Sequence, residues 1–189
     1  MFKVYGGPMF AGKTTALLAE AKKLPEGSFV FLKPSIDIRY AKDDVVSHDG
    51  LKIPAKVINT VRPVMPKINP AKTKTVLIDE LNFFPYKVIK PQLQKLLDQQ
   101  IDVIGAGLLY DFRHQPFGGT LQLSKEADRF VELFAHCDIC GQPATHSYRK
   151  VLDSAQVLVG AKESYGACCE DCWEIIKNRE TPIVATVAL

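Results

Sequence analysis

The chain places its apolar residues in short unbroken runs, separated by polar stretches that carry glycine and proline. Phe2–Gly7 (FKVYGG) reads as a strand running into a glycine turn. Ser28–Pro34 (SFVFLKP), Thr75–Glu80 (TVLIDE) and Ile101–Leu109 (IDVIGAGLL) read as strands, and Ala55–Ile58 (AKVI) as a shorter one. Between the first two, Lys13–Leu24 is rich in Ala, Leu, Glu and Lys. It sets Leu17, Leu18, Ala21 and Leu24 on one helical face before Pro25-Glu26-Gly27 ends it. Lys87–Gln100 repeats that pattern with Val88, Leu93, Leu96 and Leu97. Ser35–Pro54 is polar and reads as loop. Thr60–Lys74, broken by Pro63, Pro66 and Pro70, leaves room only for a short helix. Tyr110–Gly119 is an aromatic loop ending on glycines, and Ser124 reads as the cap of a helix that passes into a strand by Ala135. Strands apolar on both faces, alternating with helices, predict an α/β fold with a mainly parallel sheet covered by helices.

Composition narrows this little. At 189 residues the chain fits one domain, or one with a small appendage. A net charge of +3 gives no ground for a nucleic-acid or membrane partner. The opening MFKVYGG has no apolar core of signal-peptide length, no run approaches a membrane span, and a cytoplasmic location is expected.

Gly7–Thr14 (GPMFAGKT) fits G-x-x-x-x-G-K-[ST], with a strand before it and a helix after it. The glycines let backbone amides approach phosphate closely, and the helix N-terminus adds partial positive charge. Lys13 is expected at the β- and γ-phosphates, and the Thr14 hydroxyl on Mg²⁺. A second strand must then deliver an acid to the metal. Asp79, directly after Val76-Leu77-Ile78, suits that role, or it caps a helix. Glu80 sits one residue further on, where a carboxylate can take the proton of an attacking hydroxyl. An acidic pair here suits an ATPase as well as a kinase, and the motif does not separate them.

All five cysteines lie in the last third of the chain. Cys137/Cys140 and Cys169/Cys172 form two C-x-x-C pairs separated by 28 residues, with Gly141 after the first as a tight knuckle requires. Four thiolates so spaced suit structural Zn²⁺. A redox dithiol or unligated core cysteines are the alternatives, and Cys168 is spare. Four cysteines leave no open coordination position, so the metal pins the ends of Gln142–Ala167 and does no chemistry. His136 and His146 read as surface or loop residues.

In order, the marks GPMFAGKTT, KPSIDIRY, VSHDG, IDELNFF, DFRHQPFG, CDICGQPATHSYR, VGAKESY and CCEDC resemble the zinc-containing type II thymidine kinases, over nearly the whole chain. The resemblance implies a P-loop NTPase-type α/β domain over residues 1–133, and a small zinc-ribbon domain with a lasso loop over 134–189. It implies transfer of the ATP γ-phosphate to thymidine, with deoxyuridine as a second substrate. The glycine-loop residues Gly7, Pro8, Met9, Phe10, Ala11, Gly12, Lys13 and Thr14 would bind ATP, and Thr14 and Asp79 would bind Mg²⁺. Glu80 would be the base, Arg39 the positive charge near the transferring phosphoryl group, and Asp37 an aid to ordering it or the metal. Met9, Phe83, Phe112, Phe117, Val159, Gly160 and Tyr165 would form the nucleoside pocket. Neighbours on an extended segment point opposite ways, so Phe83 goes to the pocket and Phe84 to the core. The resemblance also implies a homotetramer and feedback by dTTP. Asn82 stands where the family has Gln, Leu109 where it has an acid, and Ala161 where a second glycine is common.

Overall fold

The structure, a computed structural model, describes residues 1–36, 44–46, 52–62, 64, 68–151, 155–156 and 163–180. Asp37, Arg39, Val159 and Gly160 lie outside the described residues.

Five of the apolar runs become strands of one six-stranded sheet: β1 (Phe2–Gly6), β2 (Phe29–Pro34), β5 (Lys56–Ile58), β6 (Thr75–Ile78) and β7 (Asp102–Gly107). The sixth is β8 (Arg129–Glu132). Their order is β5-β2-β6-β7-β1-β8, and every neighbouring pair runs parallel. The short β3 (Asp44–Val46) and β4 (Lys52–Pro54) pair antiparallel inside the stretch expected to be loop.

Alternation along each strand divides the core in two. Phe2, Val4, Leu32, Val76, Ile78 and Val103 face one side, against Ile89, Leu93 and Leu96 of helix α2 (Tyr86–Asp98) and Leu123 of helix α3 (Thr120–Glu126). Tyr5, Phe31, Leu77, Ile104 and Ala106 face the other, against Leu17, Leu18 and Ala21 of helix α1 (Lys13–Ala21). A parallel sheet needs this cover on both faces, which is why its strands read as continuous apolar runs. Phe84 is fully buried in the α2 layer, as expected, although Leu81–Phe83 before it forms a 3₁₀ turn and not the extended segment on which that expectation rested.

The helix expected to start at Ser124 begins four residues earlier, after the Gly119 cap. Ser124 lies inside it, and its hydroxyl donates to the Leu121 carbonyl at 2.9 Å. Serine is common at N-caps, but it can equally bond back along its own helix when buried, as here.

The last third forms a separate small core around Ala135, Ala144, Ala167, Cys168 and Trp173. Two antiparallel pairs build it. One is β9 (Ala135–His136) with β10 (Pro143–Ala144), and the other is β11 (His146–Arg149) with β12 (Tyr165–Cys168). Helix α4 (Glu170–Glu180) follows directly. Among the described residues no helix is long and apolar enough to cross a membrane.

Candidate active site and metal centre

The glycine loop leaves β1 at Gly6 and enters α1 at Lys13. At Gly7 a Cβ would overlap the Leu133 carbonyl, so only glycine lets the loop pass there. Phe10 and Gly12 both adopt positive φ, 64° and 77°, and turn the chain back over the sheet end. Gly12 is the N-cap and offers no side chain to the first-turn N–H groups, an arrangement that suits an anion at the helix N-terminus. Lys13 Nζ reaches back over the loop and donates to the Pro8 carbonyl at 2.6 Å.

The acidic pair comes from two strands away, because β7 lies between β1 and β6. Strands are spaced about 4.8 Å apart, so β1 and β6 are separated by roughly 10 Å. The first turn of α1 spans that gap: Thr14 Oγ1 donates to Asp79 Oδ2 at 3.0 Å. Asp79 is 5% exposed, and its Oδ1 accepts the Glu80 N–H at 3.0 Å. Glu80 has φ 54° and ψ 48°, in the left-handed region. The chain then turns through a 3₁₀ segment, Leu81–Phe83. A residue with a Cβ held there costs about 1 kcal/mol or more, and such strain gathers at functional sites. A hydroxyl beside a carboxylate is a hard-oxygen donor set, the kind Mg²⁺ takes together with phosphate oxygens and waters.

The expected pocket residues fall into three local groups. The Phe83 and Phe117 rings meet edge to face, with centroids 5.6 Å apart. The Met9 N–H donates to Ser147 Oγ at 2.9 Å. Phe112 and Tyr165 share one neighbour, Arg149, whose guanidinium carbon lies 3.8 Å from the Phe112 ring centre. Arg149 Nη2 donates to the Tyr165 hydroxyl at 2.6 Å. Leu109 is buried and lines a cleft of about 210 Å³ beside Gly7, Pro8, His146 and Ser147.

Three residues here, Ser147, Arg149 and Asp111, went unread in the sequence, and a fourth, His146, was read wrongly. Ser147 and Arg149 alternate along β11 and so share a face, a period-two signal hidden in the polar run THSYRK. Asp111 is buried, and its Oδ1 accepts the N–H groups of Arg113 and Gln115, both at 2.9 Å. His146 was expected on the surface, yet it is 3% exposed. Its ring stacks on His114 at 4.1 Å and lies 4.9 Å from Trp173. That burial, with His114 beside it, holds its pKa below the usual histidine value. Aromatic partners that are remote in sequence supplied a berth that local pattern does not reveal.

Cys137, Cys140, Cys169 and Cys172 place their four sulfurs within 4.8 Å of one another. Tetrahedral Zn–S bonds of about 2.3 Å would set the sulfurs roughly 3.8 Å apart, so the cage is of the right size. Gly141, with φ 76°, closes the first knuckle as its N–H bonds the Cys137 carbonyl. Asp138 N–H donates to the Ala167 carbonyl and ties the two knuckles together. Burial works against ionising the Cys137 thiol, but the backbone N–H groups of Cys140, Cys169 and Ile139 outweigh it and hold its pKa down to about 6. The Cys172 thiol is pushed up by burial and by its neighbouring sulfurs. A cation is what lets such a set ionise together. Cys168 is fully buried and its thiol is pushed up to about 12, chiefly by burial, so it is inert.

An open parallel sheet, with a phosphate-type loop and an acidic pair meeting at one end, defines the class: an α/β protein of the P-loop type. A sequence profile of the thymidine kinase family matches residues 1–173. Curated relatives agree along almost the whole chain. A thymidine kinase of Thermococcus kodakarensis is 39% identical over 181 residues, covering 89% of this chain and 91% of its own. One of Pyrobaculum aerophilum is 38% identical, covering 89% and 96%. One of Mesomycoplasma hyopneumoniae is 35% identical, covering 91% and 94%. The chain belongs to the thymidine kinase family. One solved structure, of Pif1 helicases unwinding forked duplex DNA, overlaps 70% of this chain and 39% of its own at 16% identity and a TM-score of 0.39, too loose an overlap to bear on fold or function.

Proposed function

We propose that this kinase transfers the γ-phosphate of ATP to the 5′-hydroxyl of thymidine, giving dTMP and ADP, with deoxyuridine as a second substrate. One observation carries the reading. Thr14, in the helix that follows β1, and Asp79, just past β6 two strands away, meet at 3.0 Å on the helix turn that also presents Lys13.

The amides of Gly7, Phe10, Ala11 and Gly12, with the turn at Pro8, cradle the β- and γ-phosphates, and the Met9 N–H joins them by exchanging Ser147 Oγ for a phosphate oxygen. Lys13 exchanges its bond to the Pro8 carbonyl for one to phosphate, so the loop stores its own replacement ligand. Thr14 and Asp79 would hold Mg²⁺, which would neutralise charge on the phosphates. Glu80 accepts the proton as the 5′-oxygen bonds the γ-phosphorus. The bond from that phosphorus to the β–γ bridging oxygen breaks, and ADP leaves with the electron pair. Arg39, outside the described residues, supplies positive charge near the transferring group. Phe83 and Phe117 form one wall of the thymine pocket, with Met9, Phe112 and Tyr165 around it and Val159 and Gly160 reading the base edge. Aromatic and thioether surfaces suit a flat, moderately apolar ring.

Cys137, Cys140, Cys169 and Cys172 would hold zinc, which would keep the last third of the chain in register. We divide the chain accordingly, into 1–133 for ATP and 134–189 for the nucleoside. The working enzyme is a cytoplasmic homotetramer with dTTP as feedback inhibitor and no nucleic-acid partner. Light scattering and inhibition by dTTP test the assembly and its control.

The roles separate under mutation. Glu80→Gln keeps ATP affinity within about twofold while turnover drops by at least 100-fold, the range expected for a lost general base. Asp79→Asn weakens Mg²⁺-ATP itself. Near-normal kcat in Glu80→Gln removes Glu80 as the base.

A further inference from the structure

Arg149 sits where several parts of the nucleoside side meet. It is 7% exposed, at the end of β11, directly opposite Tyr165 in the β11–β12 ladder. A buried guanidinium needs partners on its edges and its face. Nη1 donates to the Ala155 carbonyl at 2.6 Å and Nη2 to the Gln156 carbonyl at 3.3 Å. Nη2 also donates to the Tyr165 hydroxyl at 2.6 Å. The plane lies over Phe112, 3.8 Å from its ring centre.

A second tie closes the arrangement. The Gln156 side chain donates from Nε2 to Asp111 Oδ2 at 2.9 Å, while the other Asp111 oxygen organises the turn just after Phe112. The segment at Ala155–Gln156 is therefore held from two sides: by Arg149 through its backbone, and by Asp111 through a side chain. Phe112, Tyr165 and this segment come from three separate stretches of chain, and one guanidinium touches all three.

We propose that Arg149 is a positioning residue for the nucleoside. It fixes Phe112 and Tyr165 relative to each other, so that the walls stand ready before substrate arrives. This rests on the assignment of Phe112 and Tyr165 to the thymidine pocket. The guanidinium acts through those two rings and does not itself touch phosphate. Its loss falls on thymidine binding rather than on the ATP loop, because the two rings it holds belong to the nucleoside side. A lysine keeps the charge but lacks the planar face and the fork, so it cannot hold two carbonyls, a phenol and a ring at once.

Two measurements on the full-length, zinc-loaded enzyme test this. In steady-state kinetics, Arg149→Met and Arg149→Lys both raise the KM for thymidine roughly tenfold or more, as misplaced walls should. The KM for ATP stays within about twofold and zinc content stays at the wild-type level. An unchanged thymidine KM, or an ATP KM that rises equally, overturns the proposal. Thermal unfolding of Arg149→Met, Tyr165→Phe and the double variant reads the brace without any assay of turnover. The double variant should lose clearly less than the sum of the two single losses. Strict additivity overturns the brace even in an active enzyme. If wild type turns over no thymidine while the unfolding cycle shows coupling, the brace stands and the pocket assignment is what fails.

Discussion

Lys3 is 8% exposed, on the sheet face that α1 covers, and its ammonium bonds Glu20 at 2.6 Å. The Tyr5 hydroxyl donates to the same carboxylate oxygen at 2.6 Å. With Lys3 and Tyr5 as partners outweighing its partial burial, Glu20 titrates at about 2, well below the usual carboxylate range. Its folded pKa is depressed, so its contribution is present above the unfolded value and disappears as pH falls through the interval down to about 2. After discounting for partial solvent access, that contribution is about 2 kcal/mol. Glu20→Gln should therefore unfold more easily than wild type at pH 7 in a urea titration, with the gap closing as pH is lowered from about 5 toward 2. A gap independent of pH contradicts the ion pair. Glu80 makes a different point. Its left-handed backbone favours glycine, so Glu80→Gly should be no less stable than wild type while losing turnover by orders of magnitude. A variant clearly less stable than wild type would show that Glu80 is held there by contacts and not for its reaction. At this scale the approach of Thr14 to Asp79 could be expected from the sequence, because phosphate and metal chemistry demands fixed types at fixed spacing. The settings of Arg149, Asp111 and His146 could not, because what defines them is a partner tens of residues away.

Between elements, the close passages are what glycine allows. At Gly118, φ is 56° and a Cβ would overlap the Asn82 carbonyl oxygen. Asn82 in turn accepts the Leu108 N–H on its side-chain oxygen at 2.9 Å, so the turn after β6 and the end of β7 are bonded together. Gly118→Ala should cost about 2–4 kcal/mol, by strain and by overlap, and it should raise the thymidine KM through the adjacent Phe117. Wild-type stability in that variant would mean the two segments are not in contact. The cysteine knuckles are the other junction. Stripping zinc with a chelator should lower nucleoside affinity before ATP affinity, because β12 and α4 hang on the cage while α1 does not. Both affinities falling together would contradict this. The major strands and α1 and α2 could be read from apolar period alone, to within a few residues. The start of α3 could not, since the cap is Gly119 and the serine lies within the helix. The β3–β4 pair was hidden in a stretch whose polarity reads as loop.

Across the whole molecule, the parallel α/β character followed from runs apolar on both faces, but the strand order did not. Nothing local in Asp102–Gly107 says that β7 inserts between the loop strand and the acid strand. That insertion sets the distance the first turn of α1 must span, and with it the meeting of Thr14 and Asp79. The account stands on that meeting place serving transfer to a sugar hydroxyl, and not to water. The direct measurement supplies purified enzyme with Mg²⁺ and ATP labelled in the γ-phosphate, with and without thymidine. The account predicts labelled dTMP and ADP in equal amounts, and almost no ADP when thymidine is left out. ADP released at the same rate in both reactions, with no labelled dTMP, would contradict it.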